Sequence, residues 1–207
     1  TRAGTIEDGN TVSDYDKMEI EKGHSINMSI IPIEYKDVKI NFIDTPGLLD
    51  FSHEMYTAIQ AAAAALLIVD AGSGIQVGTE KAWNFCKELK KPTFIMIKRK
   101  DKDTYDFDEL VQSIRDKFGA VCVPASYPIK PEMLEALNEL IAETDEELMN
   151  KYFDEGVFTD WEFNKGLRNG VAAAEIVPVF AFDPEGGQGV TAMLDIIRKF
   201  SPSPLRH

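Results

Sequence analysis

Four consecutive residues, Asp44-Thr45-Pro46-Gly47, have the types and the order that phosphate chemistry uses. A carboxylate at position 44 can hold a metal-bound water, because magnesium prefers oxygen ligands. Gly47 carries no Cβ, so its backbone can approach an anion closely. The four residues follow a predicted strand and precede a predicted helix, where nucleotide hydrolases place an acid near magnesium and an amide near a terminal phosphate. The tetrapeptide taken alone is equally compatible with an ordinary strand-to-helix turn.

The segments around this motif alternate between strand and helix patterns. Residues 29–35 and 38–43 alternate apolar and polar side chains around Lys36-Asp37, which predicts an antiparallel hairpin ending at Asp44. Continuous apolar runs at 66–69, 94–97 and 176–181 predict buried strands. Helical spacing predicts helices on three apolar sets: Phe51, Met55 and Ile59; Leu110, Ile114 and Phe118; Val190, Leu194 and Ile197. A further short helix is predicted over 17–22, and Thr79 is expected to cap one bearing Ala82, Cys86 and Leu89.

This alternation predicts an α/β fold, a layered sheet with helices on both faces. Right-handed crossovers gather the carboxyl ends of the strands on one rim, where ligands bind. Residues 131–174 show helical patterns only, including a capping box at Thr159 and Glu162. We therefore expect a core domain over 1–123 and 175–200 and a small helical insertion over 124–174. The Ser-Pro-rich residues 201–207 are expected to form a linker.

The composition limits which partners and which cellular compartment we expect. The chain has 22 basic and 35 acidic side chains and a net charge of −13, which opposes binding to a phosphate backbone. No DNA partner is expected, and any RNA contact must use a local patch or a protein partner. Cys86 and Cys122 lie in apolar stretches without metal-ligand spacing, which favours buried thiols and the cytoplasm. No run of about 18 apolar residues predicts a membrane span.

Five segments occur in a fixed order: EDGNTVSDYD at 7–16, EKGHSI at 21–26, DTPG at 44–47, GTEKAW at 78–83 and DEEL at 145–148. In this order they resemble elongation factor G and its close paralogues, over nearly the whole chain. The resemblance implies a P-loop-NTPase-like fold, GTP and GDP as ligands with Mg2+, GTPase activity and the ribosome as partner. It implies that Ser25 and Asp44 reach magnesium and that residues 44–48 contact GTP. The hydroxyl of Ser25 is chemically able to do so.

The guanine-reading motif of that family is Asn-Lys-x-Asp, and this chain has Lys98-Arg99-Lys100-Asp101 in the matching place. The resemblance assigns all four residues to GTP binding. The Asp101 carboxylate can accept two hydrogen bonds from the guanine N1 and N2 edge, whereas adenine presents an acceptor at N1. Lys98 lacks the carbonyl of the family's asparagine and places a cation near the base. A solvated basic turn is an equal alternative.

Three departures from the family pattern fall on nucleotide-contacting loops. The first strand and the phosphate-binding loop Gly-x4-Gly-Lys-Ser/Thr have no counterpart in the 207 residues. Leu48 stands where the translocase has a histidine that positions the attacking water, so the catalytic residue is unknown. Phe182-Asp183-Pro184 replaces a Ser-Ala that contacts the base, and the stretch from Pro124 to Pro131 is shorter than usual. A degenerate site, a chain cut after its first strand and helix, and missing loop segments all remain open.

Three functions follow from this sequence. The preferred one is a GTP-binding domain that couples hydrolysis to ribosomal translocation. The second is a catalytically degenerate, ribosome-associated interaction module or a paralogue of the ribosome-protection type, and Leu48 favours the paralogues. The third is an unrelated acidic α/β domain, which would have to carry five ordered segments by chance.

Overall fold

A computed structural model describes residues 4–5, 8–98, 106–126, 129–182 and 188–203, without the side chain of Gln188. The chain divides into two compact units, residues 1–62 and residues 63–207.

Among its described residues, the first unit has two α-helices, a 3-10 turn and a hairpin. Helix α1 covers Lys17–Lys22, strand β1 covers Ser29–Tyr35 and strand β2 covers Val38–Asp44. A 3-10 turn at Leu49–Phe51 leads into α2, Ser52–Ala61. The strands pair antiparallel through a two-residue loop, and Lys36 takes a left-handed φ of 52° there. The predicted hairpin is therefore confirmed.

The second unit is built on a parallel four-stranded sheet in the order β3-β4-β6-β5. Its strands are β3 (Ala65–Asp70), β4 (Thr93–Lys98), β5 (Cys122–Ala125) and β6 (Val177–Phe182). Lys98 pairs with Asp70 on one side and with Phe182 on the other, so three strands end at one rim. The expectation that strand carboxyl ends gather at one edge is confirmed for these strands.

Helices cover both faces of this sheet, which confirms the expected α/β layering. They are α3 (Val77–Glu88), α4 (Phe107–Phe118), α5 (Pro131–Glu143), α6 (Glu146–Glu155), α7 (Asp160–Ala172) and α8 (Gln188–Phe200). Phe94 and Met96 of β4 belong to a core with residues of α5, α7 and α8. Ile95 and Ile97 point to the opposite face, since successive strand residues alternate, and both are fully buried. The rings of Trp83 on α3 and Phe118 on α4 stack at 4.8 Å between centroids.

Two details differ from the sequence expectations. Helix α3 begins at Val77 with Gln76 as its N-cap, so Thr79 is the third helical residue, and its hydroxyl accepts from the Gln76 amide at 3.4 Å. Strand β5 was not predicted, because it is four residues long and contains Pro124. In the part of the chain that the structure describes, β5 lies at the sheet edge and pairs only with β6. A proline is tolerated there, since one side of the strand needs no ladder donors.

Three helices, α5 to α7, occupy the chain between β5 and β6. The predicted capping box is present at the start of α7, where Thr159 and Glu162 bond to each other's backbone amides. Among the described residues, no helix is long and apolar enough to cross a membrane.

Candidate functional site

The Asp44–Leu48 segment leaves the open end of the hairpin in the first unit. Asp44 is the last residue of β2 and pairs with Ser29, the first residue of β1. Its side chain is exposed, Pro46 is buried, and Gly47 and Leu48 are exposed again. The buried proline fixes the chain, while Asp44 before it and Gly47 after it are exposed, so the acid and the glycine are both accessible to a ligand.

Neither the backbone conformation nor the packing around position 47 requires a glycine there. The φ of Gly47 lies outside the left-handed region, and a Cβ built on it would meet nothing within 4 Å. Neither backbone strain nor packing therefore excludes a side chain at this position. Close approach of an anion to the Gly47 amide would supply a reason for glycine that the rest of the chain does not supply.

Ser25 lies in the loop between α1 and β1, at the same end of the hairpin as Asp44. Its hydroxyl donates to the Asp14 carboxylate with an Oγ to Oδ1 distance of 2.6 Å. The loop is tied to α2, because the Met28 amide donates to Glu54 Oε2 at 3.0 Å. The structure thus brings Ser25 and Asp44 to one end of the same element, with Ser25 held by Asp14.

The carboxylate of Glu19 holds this loop through hydrogen bonds to backbone amides. Glu19 is 2% exposed, and its oxygens accept from the amides of Ile26 and Asn27 at 3.0 Å and of Asp16 at 3.2 Å. Burial raises the pKa of Glu19, but the hydrogen bonds from these three amides are the largest opposing effects, and the net pKa is lowered. The ionised carboxylate is therefore the form that holds the loop.

The donors at this end of the hairpin fit magnesium. The carboxylate of Asp44 and the hydroxyl of Ser25 are oxygen ligands, and magnesium is usually bound by one or two protein oxygens together with substrate phosphates and waters. Within the described ranges, no group of three or more His, Cys, Asp or Glu side chains could hold a metal ion by itself. The chemistry of the donor set therefore suits a cation that arrives with a nucleotide rather than a structural metal.

The base-reading candidates belong to the second unit. Lys98 ends β4, is half-buried, and its carbonyl accepts from the Ala71 amide at 2.9 Å. Its strand partner is Phe182, the first residue of the stretch that replaces the family's base-contacting Ser-Ala, so this stretch and the basic turn start side by side. Arg99, Lys100 and Asp101, like Asp183 and Pro184, lie outside the described residues.

Comparison with known proteins decides the family. The profile described as "Elongation factor Tu GTP binding domain" matches residues 1–203. The chain belongs to this family. Its membership excludes the reading as an unrelated acidic α/β domain and confirms the resemblance to the G domain of elongation factor G-like proteins.

Two relatives of this GTP-binding domain show the extent of the likeness. An "Elongation factor G-like protein" from Thermotoga maritima is 30% identical over 238 residues, covering 98% of this chain and 35% of that protein. A crystal structure of a protein from Thermus thermophilus superposes with a TM-score of 0.88 at 27% identity, covering 98% of this chain and 36% of that one. The fold is therefore that of a P-loop-type GTP-binding domain, and this chain spans about a third of the length of both relatives.

Three side chains that position the site were not singled out from the sequence of this GTP-binding domain. Asp14 holds Ser25, Glu19 holds residues 26 and 27, and Asp70 accepts from the amides of Gly72 and Ser73 at 3.1 Å after β3. The Asp16-x-x-Glu19 spacing is a capping-box signature that could have indicated Glu19. Asp14 carried no such signal, because its partner lies 11 residues away.

The two cysteines take no part in either site. Both are free and buried, as expected from their apolar surroundings. Burial raises the pKa of both thiols, that of Cys122 to about 12. Both are therefore neutral thiols at physiological pH and act as small core residues.

Proposed function

We propose that the protein binds GTP and GDP with Mg2+ and hydrolyses GTP as a ribosome-associated translation factor of the elongation factor G type. In this proposal Ser25 and Asp44 hold magnesium, and residues 44–48 face the terminal phosphate. Lys98, Arg99, Lys100 and Asp101 form the base site. Membership of the GTP-binding domain family and the unexplained glycine at position 47 support it, and Gly47 is the observation that carries it.

Each residue has a defined task in this chemistry. The Gly47 amide donates to an oxygen of the terminal phosphate, where negative charge spreads in the transition state. The Asp101 carboxylate accepts from the guanine edge and orients the base. Magnesium, when bound, neutralises charge on the phosphates. When the terminal phosphate leaves, the Ser25 hydroxyl loses its contact with the magnesium and phosphate. It can then bond to Asp14, so the loop has a nucleotide-bound state and an Asp14-bound state.

We also propose a ribosomal role, a cellular location and domain bounds. Coupling to ribosomal translocation requires a protein or local contact on the ribosome, because the net charge of −13 disfavours general binding to RNA. We propose the cytoplasm as its location and neither membrane nor DNA as partner. We also retain residues 1–123 and 175–200 as the nucleotide domain, 124–174 as the helical insertion and 201–207 as a linker.

One observation favours a second candidate, a module that keeps the fold and has lost turnover. Leu48 is 45% exposed beside Gly47, and a leucine side chain cannot hydrogen-bond an attacking water. Such a module would bind nucleotide without hydrolysing it, or would serve as a ribosome-protection-type paralogue. The hydrolysing factor and this module differ in whether GTP is turned over. Both bind the base and the phosphates through the same residues.

Gly47→Ala tests the phosphate contact. We expect about tenfold weaker binding of a non-hydrolysable GTP analogue and unchanged binding of GDP, since the added methyl group blocks one hydrogen bond to the terminal phosphate. Competition titrations on the full-length gene product measure both affinities. The melting temperature serves as control and should stay constant, because the Cβ enters open space. Equal losses for both nucleotides, or no loss, would contradict the assignment of Gly47.

A further inference from the structure

We infer that His24 is the residue that positions the attacking water, in place of the side chain that Leu48 cannot provide. This inference rests on the proposed GTP hydrolysis. Phosphoryl transfer to water needs a group that orients the water for in-line attack. Within residues 1–62 the question is which polar side chain near the 44–48 segment is free to do so.

Asp50, His53 and Glu54 also follow Leu48 in the chain, and each is less suited than His24. His53 lies 3.4 Å from Glu54 Oε1 and its side chain is 71% exposed on α2. The other oxygen of Glu54 is used by the Met28 amide. Asp50 is the second residue of the 3-10 turn Leu49–Phe51 and is exposed to solvent. His53 is thus surrounded by water, which lowers the strength of any oriented contact.

His24 has the surroundings that a water-positioning imidazole needs. It is half-buried and directly precedes Ser25, the proposed magnesium ligand. Its ring lies 6.4 Å from the ring of Phe51 at an angle of 37°. Phe51 is three residues beyond Leu48, so the imidazole reaches the turn that follows the Asp44–Leu48 segment. His24 therefore links the Ser25 loop to the phosphate-facing turn within one unit.

The orientation of the ring also fixes its chemistry. Nδ1 lies 3.2 Å from the carbonyl oxygen of Ser25. A carbonyl can only accept a hydrogen bond, so Nδ1 carries the proton. In the neutral ring Nε2 then has the free lone pair, which can accept a hydrogen bond from water. This is the tautomer that a general base or a water-positioning residue requires.

The step balances with these groups. The water oxygen forms a bond to the γ-phosphorus while the bond from that phosphorus to the β–γ bridging oxygen breaks. The bridging oxygen keeps the electron pair and leaves on GDP. One water proton passes through His24 Nε2 to the phosphate, so the products are GDP and inorganic phosphate and the imidazole is regenerated.

His24→Gln is the variant that tests this role, with His53→Gln as the matched control. We expect single-turnover GTP hydrolysis by the full-length gene product, with Mg2+ and ribosomes, to fall about 100-fold in His24→Gln. His53→Gln should hydrolyse at the wild-type rate. Fluorescent GDP should bind both variants with the wild-type affinity, because neither side chain is assigned to the base or to the β-phosphate.

A rescue experiment separates this role from a structural one. Adding Leu48→His to His24→Gln should restore part of the hydrolysis rate, because it returns an imidazole beside Gly47. A double variant that stays as slow as His24→Gln would contradict the water-positioning role.

The outcomes are distinguishable. Normal GDP binding with an unchanged hydrolysis rate in His24→Gln would overturn the assignment of His24 and leave the proposed function standing. Normal binding without hydrolysis by the wild type would also overturn it and favour the turnover-deficient module. Loss of GDP binding in His24→Gln would mean a structural role. Absence of guanine nucleotide binding by the wild type would overturn this inference together with the proposed function.

Discussion

Asp101→Ala is expected to weaken GDP binding about 1000-fold, because it removes two hydrogen bonds to a charged acceptor, each worth roughly 1.5–3 kcal/mol. The guanine N1 and N2 groups would lose their partner and would be left unpaired in the base site. Competition between fluorescent GDP and unlabelled nucleotides on the full-length gene product measures the change. Discrimination between GDP and ADP should collapse in the same variant.

Two companion variants make this result specific. Asp108→Ala removes another exposed acid, in the first turn of α4, and should leave the GDP affinity unchanged. Asp101→Asn should gain affinity for xanthosine diphosphate, since the amide can accept from N1 and donate to the C2 carbonyl of xanthine. A wild-type affinity for GDP in Asp101→Ala would refute the assignment of this residue to the base.

Glu19→Ala is expected to destabilise the loop that carries Ser25 by about 3–5 kcal/mol, because it removes the acceptor of three partly buried backbone amides. Those amides belong to Asp16, Ile26 and Asn27. Native-state hydrogen exchange at Met28 reports the effect, since that amide donates to Glu54 and not to Glu19. Unchanged protection at Met28 would show that Glu19 does not hold the loop.

Glu19→Gln supplies the control and a pH dependence. Its amide oxygen can still accept, so the loss at neutral pH should be smaller than in Glu19→Ala. The folded-state pKa of Glu19 lies below its ordinary value of 4.5. A lowered pKa means that the ionised carboxylate stabilises the fold fully above that value and that this contribution disappears as the pH falls through the lower, folded-state pKa. The difference in protection between wild type and Glu19→Gln should therefore vanish in acid.

The regular elements could be predicted because local periodicity and tertiary packing agree in them. Residues 94–97 form a continuous apolar run, and β4 is buried on both faces of the sheet. The Thr159 and Glu162 spacing predicted the start of α7 correctly, since a capping box is a local interaction. Strand β5 escaped prediction because four residues with an internal proline carry almost no periodic signal.

The site was predicted only in part, because its geometry depends on contacts between distant residues. The Asp44–Gly47 motif indicated phosphate chemistry from residue types alone. The bonds of Asp14 to Ser25 and of Glu19 to residues 26 and 27 span 7 to 11 positions and follow no period. His24 could be assigned a task only once its ring was seen beside Phe51 and its Nδ1 beside a carbonyl.

The most direct test of the central claim is titration of a fluorescent guanine nucleotide, with Mg2+, into the full-length gene product. Unlabelled GDP and ADP serve as competitors. The account predicts saturable binding that GDP displaces and ADP does not, since Asp101 accepts from groups that adenine lacks. Absence of binding up to the highest soluble protein concentration, or equal displacement by ADP, would contradict a guanine nucleotide site.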